Sequence, residues 1–152
     1  MVGLEYSVQP VMKSCLIVGA GMSGLTAAIA LQKNGWNVTL ADKGRGVGGR
    51  MATRRIGGTS FDHGAQFFTA RDNRFQHAIE QWERDNVVKP WFTEGGHPRY
   101  RAVSGMNGLA KHLAKTLDVR SDTPIKTVEP GTHGWIAVTA AGERIHADAL
   151  LL

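Results

Sequence analysis

Residues 14–24 read Ser14-Cys15-Leu16-Ile17-Val18-Gly19-Ala20-Gly21-Met22-Ser23-Gly24. A short apolar run rich in strand formers is stopped by Gly19, and the pattern then changes period. Leu25, Ala28, Ile29 and Leu31 follow helical spacing until Asn34-Gly35 supplies a stop. From Trp36 to Asp42, Val38 and Leu40 alternate with polar neighbours, which predicts a second strand. Strand, helix and strand within about thirty residues make a βαβ unit with a right-handed crossover. The turn between the first two elements is G-x-G-x-x-G, and each glycine has a physical task. Gly19 permits the tight turn, Gly21 lets backbone approach a pyrophosphate, and Gly24 lets helix and strand pack closely. The helix N-terminus offers unpaired N–H groups and a partial positive charge to phosphates. Asp42, closing the second strand, stands where a carboxylate accepts hydrogen bonds from an adenosine ribose. The context predicts a dinucleotide site.

FAD, NAD and NADP are all open on that motif alone. A carboxylate at Asp42 would repel a 2′-phosphate, which argues against NADP, while Lys43 and Arg45 argue weakly the other way. The next segment, Gly44-Arg45-Gly46-Val47-Gly48-Gly49-Arg50, is a second glycine-rich loop. A plain NAD dehydrogenase has no reason to place one there. A cofactor with a second bulky ring system does, because backbone must again come close to it, and Arg50 can neutralise its pyrophosphate. Lys43, Arg45, Arg50, Arg54 and Arg55 cluster here without aromatic interleaving, and no DNA- or RNA-binding module is recognisable. Nucleic acid is not an expected partner.

Working outward, 152 residues suffice for one domain or one large piece of a domain. With 42% hydrophobic and 20% charged residues the chain can build a core and is not a disordered tail. Eighteen Lys and Arg against thirteen Asp and Glu leave a net charge of +5, which favours anionic partners such as phosphates. The single cysteine, Cys15, excludes an internal disulfide and a cysteine-rich zinc site, and on its strand it reads as an inert buried thiol. No apolar run approaches the roughly 18 to 20 residues needed to span a bilayer, so no membrane partner is expected. The first twelve residues lack a signal-peptide succession, and the cytoplasm is the expected location. His63, His77, His97, His112, His133 and His146 form no helical metal pair, so no metal site is expected. No nucleophile–base pair stands out, and the catalytic residues are left unassigned.

Residues 1–12 read as a leader without pattern, and 43–64 as mostly loop. Asp72 can cap a helix whose Phe75, Ile79 and Trp82 share one face, with Trp82 read as core. Lys89-Pro90 and residues 95–98 read as turns flanking short strands. Met106, Leu109, Leu113 and Leu117 mark a further helix, followed by strand candidates at 125–129, 135–139 and 143–146. Residues 149–152 start another buried strand, and the reading expects a chain truncated there.

With these residues placed, the chain resembles the flavin-containing amine oxidase superfamily and, within it, the bacterial renalase-like oxidoreductases. The dinucleotide motif followed by Asp42-Lys43-Gly44-Arg45-Gly46 and Gly48-Gly49-Arg50-Met51 is similar to the superfamily at large. Asp62-His63-Gly64-Ala65-Gln66-Phe67-Phe68-Thr69-Ala70-Arg71-Asp72 is closely similar to a stretch of the renalase-like proteins, as are Arg99-Tyr100 and Ser104-Gly105-Met106-Asn107-Gly108-Leu109. His63 departs from the pattern, standing where relatives usually have an apolar residue.

The resemblance implies an α/β fold: a Rossmann-like FAD-binding βαβ unit with a parallel sheet, a β-meander and the start of a substrate-domain insertion. It divides the chain into an FAD-binding part over 13–83, the start of the insertion over 84–104, and the FAD-binding part continued over 105–152. It implies FAD as cofactor. Gly19, Ala20, Gly21, Met22, Ser23 and Gly24 would wrap the pyrophosphate, and Asp42 and Lys43 would hold the adenosine ribose. Gly49 and Arg50 would contact phosphate and ribityl, Gly64, Ala65 and Gln66 would lie near the isoalloxazine, and Ile125 would read adenine. Trp91 and Tyr100 are candidates to line a substrate pocket. The implied function is oxidation of a small molecule by hydride transfer to flavin N5 with oxygen as acceptor. The substrate is a misreduced dihydronicotinamide dinucleotide or a small amine. The alternative is a non-catalytic FAD-binding fragment or module. On either reading residues 1–152 alone are not expected to turn substrate over, and the oligomeric state is not legible.

Overall fold

The computed structural model describes residues 12–152, so all but Met12 of the segment read as a leader lies outside the described residues. Strand β1 (Ser14–Val18), helix α1 (Met22–Lys33) and strand β2 (Asn37–Ala41) form the predicted βαβ unit. The two strands are parallel and in register from Ser14 against Asn37 to Val18 against Ala41. Asn34 closes α1, and Gly35 follows with φ of 78°, a left-handed turn that glycine adopts without a Cβ penalty.

Beyond a 3-10 turn at Gly49–Met51 come β3 (Thr53–Ile56), β4 (Thr59–Asp62), α2 (Asn73–Arg84), β5 (Val88–Glu94), β6 (His97–Ala102) and α3 (Asn107–Leu113). The chain ends with β7 (Asp118–Arg120), β8 (Ile125–Pro130), β9 (Trp135–Thr139), β10 (Arg144–Ala147) and β11 (Ala149–Leu151). The parallel sheet runs β11-β1-β2-β7, and β8, β9 and β10 form the antiparallel meander. The α/β architecture expected from the sequence is the one observed.

β1 is buried on both faces, which is why its sequence is continuously apolar. Cys15 and Ile17 join Leu25 and Ala28 of α1, Val38 and Leu40 of β2 and Ala110 of α3 in one core. Leu16, between them, points the other way and packs with Ala41, Ala137 and Ala147 under the meander. A third cluster joins Ile79 and Trp82 of α2, Val88 and Ala102 of the second hairpin, and Met106 and Leu109. Each fully buried Leu or Ile is worth about 1.5–3 kcal/mol of transfer free energy. Burial pushes the Cys15 thiol up from its ordinary range, in keeping with an inert thiol. No helix among the described residues is long and apolar enough to cross a membrane.

Three local expectations are corrected. Residues 53–62, read as loop, form the β3–β4 hairpin around Gly57 and Gly58, whose φ values of 55° and 80° suit a tight two-residue hairpin turn. Lys89-Pro90 is not a turn but lies inside β5, next to an irregularity in its pairing with β6. Such a bulge accommodates a proline that cannot donate to the ladder. Leu117 lies beyond α3 and its 3-10 extension at Ala114–Thr116, in extended backbone.

Asp72 caps α2 as read, accepting from the Arg74 and Phe75 N–H groups. The Arg74 side chain, bonded to the same carboxylate, is the first cause holding the Asp72 carboxyl below the usual range. α3 has no cap of its own. Instead Asp62 Oδ1 accepts from the Met106 N–H at 2.9 Å and from Thr53 Oγ1 at 2.5 Å, and Thr53 Oγ1 accepts from the Asn107 N–H at 3.1 Å. The first hairpin is thus fastened to the helix that two cores share. Asp62→Ala should leave the Met106 N–H and the Thr53 hydroxyl without an acceptor and cost about 1–3 kcal/mol. Urea unfolding followed by circular dichroism measures it; an unchanged midpoint would show that the cap contributes nothing.

Candidate functional site

Two glycine loops meet at the carboxyl ends of β1 and β2. Gly19 leaves β1 with φ of 112° and donates its N–H to the Ala41 carbonyl at 2.8 Å, closing the first turn. Gly21 is the N-cap of α1, in extended backbone with φ of −75°. α1 has no side-chain cap and no acidic residue in its first turn. Its leading N–H groups therefore have no side-chain acceptor, the arrangement that favours an anion. A Cβ on Gly24 would overlap the Gly19 carbonyl, so α1 packs directly on the turn that precedes it. A Cβ on Gly21 would meet nothing within 4 Å.

The second loop leans on the first. The Gly48 N–H donates to the Ala20 carbonyl at 2.9 Å, and Gly21 and Gly48 form an isolated parallel bridge. A Cβ on Gly49 would stand 3.5 Å from the Gly21 Cα. Asp42 joins both loops: Oδ2 accepts from the Ala20 N–H and Oδ1 from the Gly44 N–H, each at 2.6 Å. Its main chain is held as well, since the Asp42 carbonyl accepts from Thr123 and the Gly44 carbonyl from Asp122. These bonds bring residues 122–125 beside the end of β2.

The result is a groove of two adjoining cavities. One, of about 420 Å³, is lined by Gly19, Gly21, Met22, Ser23, Gly24 and Arg50, among others. The other, of about 390 Å³, is lined by Lys43, Pro124 and Ile125. Gly19, Asp42 and Gly49 border both. Most of the residues read as one site from the sequence are therefore brought together.

Four of them are placed differently. Ala20 is fully buried and its N–H is engaged by Asp42, so it shapes the loop and does not line the groove. Gly64, Ala65 and Gln66 line neither cavity. The Ala65 N–H donates to the Arg50 carbonyl at 2.8 Å, and a Cβ on Gly64 would overlap that carbonyl. Gln66 lines a separate open cavity with Trp91 and Arg101. His63 is exposed, with Nδ1 3.2 Å from the Ala52 carbonyl oxygen. Trp82 is core, as read. Among the described residues no group of three His, Cys, Asp or Glu could hold a metal. Pro124, Leu151 and Leu152 also border the groove and were not read as site residues. No local pattern marks them, because only the folded sheet brings them to Gly19.

Residues 17–82 match the model of the NAD(P)-binding Rossmann-like domain. The match and the observed parallel sheet together give the chain a Rossmann-like α/β fold. It is 40% identical over 126 residues to a 1-hydroxycarotenoid 3,4-desaturase of Flavobacterium sp. (strain P99-3), covering 78% of this chain and 26% of the desaturase. It is 49% identical over 53 residues to an L-amino acid oxidase of Cerastes cerastes, covering 35% of this chain and 10% of the oxidase. Its fold is similar to that of putrescine oxidase solved with putrescine bound, with a TM-score of 0.72 at 17% identity. That likeness covers 93% of this chain and 58% of the oxidase. The chain thus spans about a quarter, or less, of the length of these curated relatives.

The close approach at Gly24 is directly testable. Gly24→Ala places a methyl group into backbone and should cost about 1–3 kcal/mol, lowering the thermal midpoint by roughly 5 °C. Gly21→Ala, at an unstrained φ with open space around it, should melt with the parent. Equal melting of both variants would show that α1 does not depend on the third glycine.

Proposed function

We propose that this chain is the dinucleotide-holding part of an FAD-dependent oxidoreductase. The observation that carries the reading is the open space above Gly21, where a Cβ would project into the groove without meeting the chain, between two glycine loops stacked on each other. The residues present fit the group. Met22 and Ser23 at the start of α1, with the Arg50 guanidinium, offer donors and positive charge to a pyrophosphate. Asp42 spends two of its roughly four acceptor sites on Ala20 and Gly44, which leaves capacity for ribose hydroxyls beside Lys43. Pro124 and Ile125 offer an apolar wall to adenine. Backbone brought close to the ligand a second time, at 48–49, favours FAD over NAD.

FAD bound there supplies a two-electron acceptor for a hydride, with oxygen as the terminal acceptor. The protein's own part is to bind, orient and exclude water. The groove fixes the dinucleotide end, and Gly64 and Ala65, locked onto Arg50, begin a wall beyond the pyrophosphate. Residues 13–83 and 105–152 hold the cofactor, and the hairpin within 84–104 begins the substrate side. The renalase-like stretch over 62–72 supports a misreduced dihydronicotinamide dinucleotide as substrate. A small amine is the second reading, favoured by the likeness to proteins named as putrescine and L-amino acid oxidases. A binding module without turnover is the alternative in which the rest of such an oxidase is not needed.

Gly21→Val should fold and purify without flavin, because its side chain occupies the pyrophosphate cradle. A variant as yellow as the parent would remove the basis of the reading. Asp42→Ala loses charge-assisted hydrogen bonds of roughly 1.5–3 kcal/mol and should weaken FAD by about ten- to a hundredfold without gain of NADP. Titration of both dinucleotides measures this; a gain in NADP with FAD unchanged would reverse the cofactor assignment.

A further inference from the structure

The reading above leaves two substrate classes, one anionic and one cationic, and the second hairpin carries groups that discriminate between them. In β5–β6, Pro90 pairs with Tyr100 and Phe92 with Arg99, so Trp91 is the unpaired residue of a bulge. Bulges re-aim side chains. Trp91 is half exposed and packs edge-on against Phe67 and Phe92, with ring centroids 6.4 and 5.2 Å away. Arg99 and Arg101, two apart on one strand, share a face. The Arg99 guanidinium lies 5.5 Å from the Phe67 ring and is neutralised by Glu94 at 3.0 Å.

Arg101 is different. Its guanidinium lies 5.7 Å from the Trp91 ring, and its Nε, like that of Arg99, is buried with no hydrogen-bond acceptor among the described residues. None of the ion pairs among the described residues includes it. A guanidinium stacked on an aromatic ring keeps a rigid fork of donors oriented for a planar carboxylate or for phosphate. The fork borders an open cavity of about 310 Å³ shared with Ser60, Phe61, Asp62, Gln66 and Trp91. Gln66 adds an amide with two N–H donors. It follows directly on Ala65, whose N–H is bonded to Arg50, a lining residue of the dinucleotide groove. Asp62 is the one acid on this wall, and its Oδ1 is committed to Thr53 and the Met106 N–H. Asp62 and Arg101 form no ion pair, so the guanidinium donors carry no carboxylate of the described residues, and a free ammonium brought to those donors would be repelled.

We propose that Arg101, Trp91 and Gln66 form a subsite for the anionic group of a planar substrate, carboxylate or phosphate, so that the substrate class is an anion and not a free amine. The inference rests on the oxidoreductase reading for the word substrate; the binding it describes does not. Calorimetric titration of the protein with nicotinamide mononucleotide, nicotinic acid and the N-methylnicotinamide cation tests it. One or both anions should bind, and the preferred one tells phosphate from carboxylate; the cation, with the same ring and no anion, should bind about tenfold or more weakly. Arg101→Met should weaken the anions by about tenfold or more, Arg101→Lys should restore part of the loss, and retained flavin and thermal midpoint should stay at parent values. Trp91→Ala should weaken the same probes. Anion binding unchanged in Arg101→Met, equal binding of the cation, or no anion binding by the parent would overturn the subsite. Loss of flavin in Arg101→Met would overturn it too, by assigning Arg101 to the cofactor. A parent protein that binds the anions but never retains flavin would leave the subsite standing and sink the FAD reading alone.

Discussion

The Asp42 carboxylate holds the site together. With one oxygen on the Ala20 N–H and the other on the Gly44 N–H, it ties the loop after β1 and the loop after β2 to the same strand end. Hydrogen bonds to an ionised acceptor are worth about 1.5–3 kcal/mol each, against about 1 for neutral ones. Two short bonds of this kind outweigh the entropy of ordering two glycine-rich turns far better than neutral partners would. Once both turns are pinned, Gly48 can reach the Ala20 carbonyl and the loops stack. The same carboxylate keeps lone pairs beyond these two bonds, and the proposed ribose contact rests on that capacity.

Around that anchor the packing is arranged so that the groove's floor cannot drift. β1 is clamped between two cores, with Cys15 and Ile17 in one and Leu16 in the other. α3 contributes Ala110 to the first core and Leu109 to the cluster under α2 and the second hairpin. Its N-terminus is in turn satisfied by Asp62 and Thr53, which closes a loop of constraints from the groove through Gly48, backed by Ala110 and Asn107, to the first hairpin. The two hairpins extend from this frame with more of their surface in water, and that is where Trp91, Phe61 and Phe92 are exposed.

The charge distribution follows the same division. At the groove Lys43 and Arg50 stand beside the unneutralised start of α1, and at the second hairpin Arg101 lacks a carboxylate partner among the described residues. The two anion sites proposed above rest on the same physical ground: donors held in position by the protein before any ligand arrives leave little reorganisation to oppose binding.

The βαβ unit was legible from residues 14–42 because its signals are local: an apolar run, three glycines at fixed offsets, helical spacing, and a carboxylate at the second strand's end. The Asp72 cap and the strands of the meander were legible for the same reason. The β3–β4 hairpin was not read, although Gly57-Gly58 marks it, because the arginines around it looked like solvated loop. Composition alone determined that the chain has a core, has no disulfide within it and carries excess positive charge. What only the tertiary structure decided is which distant groups meet. Ile125 reaches the groove because Thr123 bonds to Asp42, Asp62 caps a helix 44 residues away, and Trp91 faces Arg101 across a bulge. Spacing along a chain encodes contacts within a turn, a strand or a helix; contacts made when separate elements close on a shared core are set by packing, and no local pattern carries them.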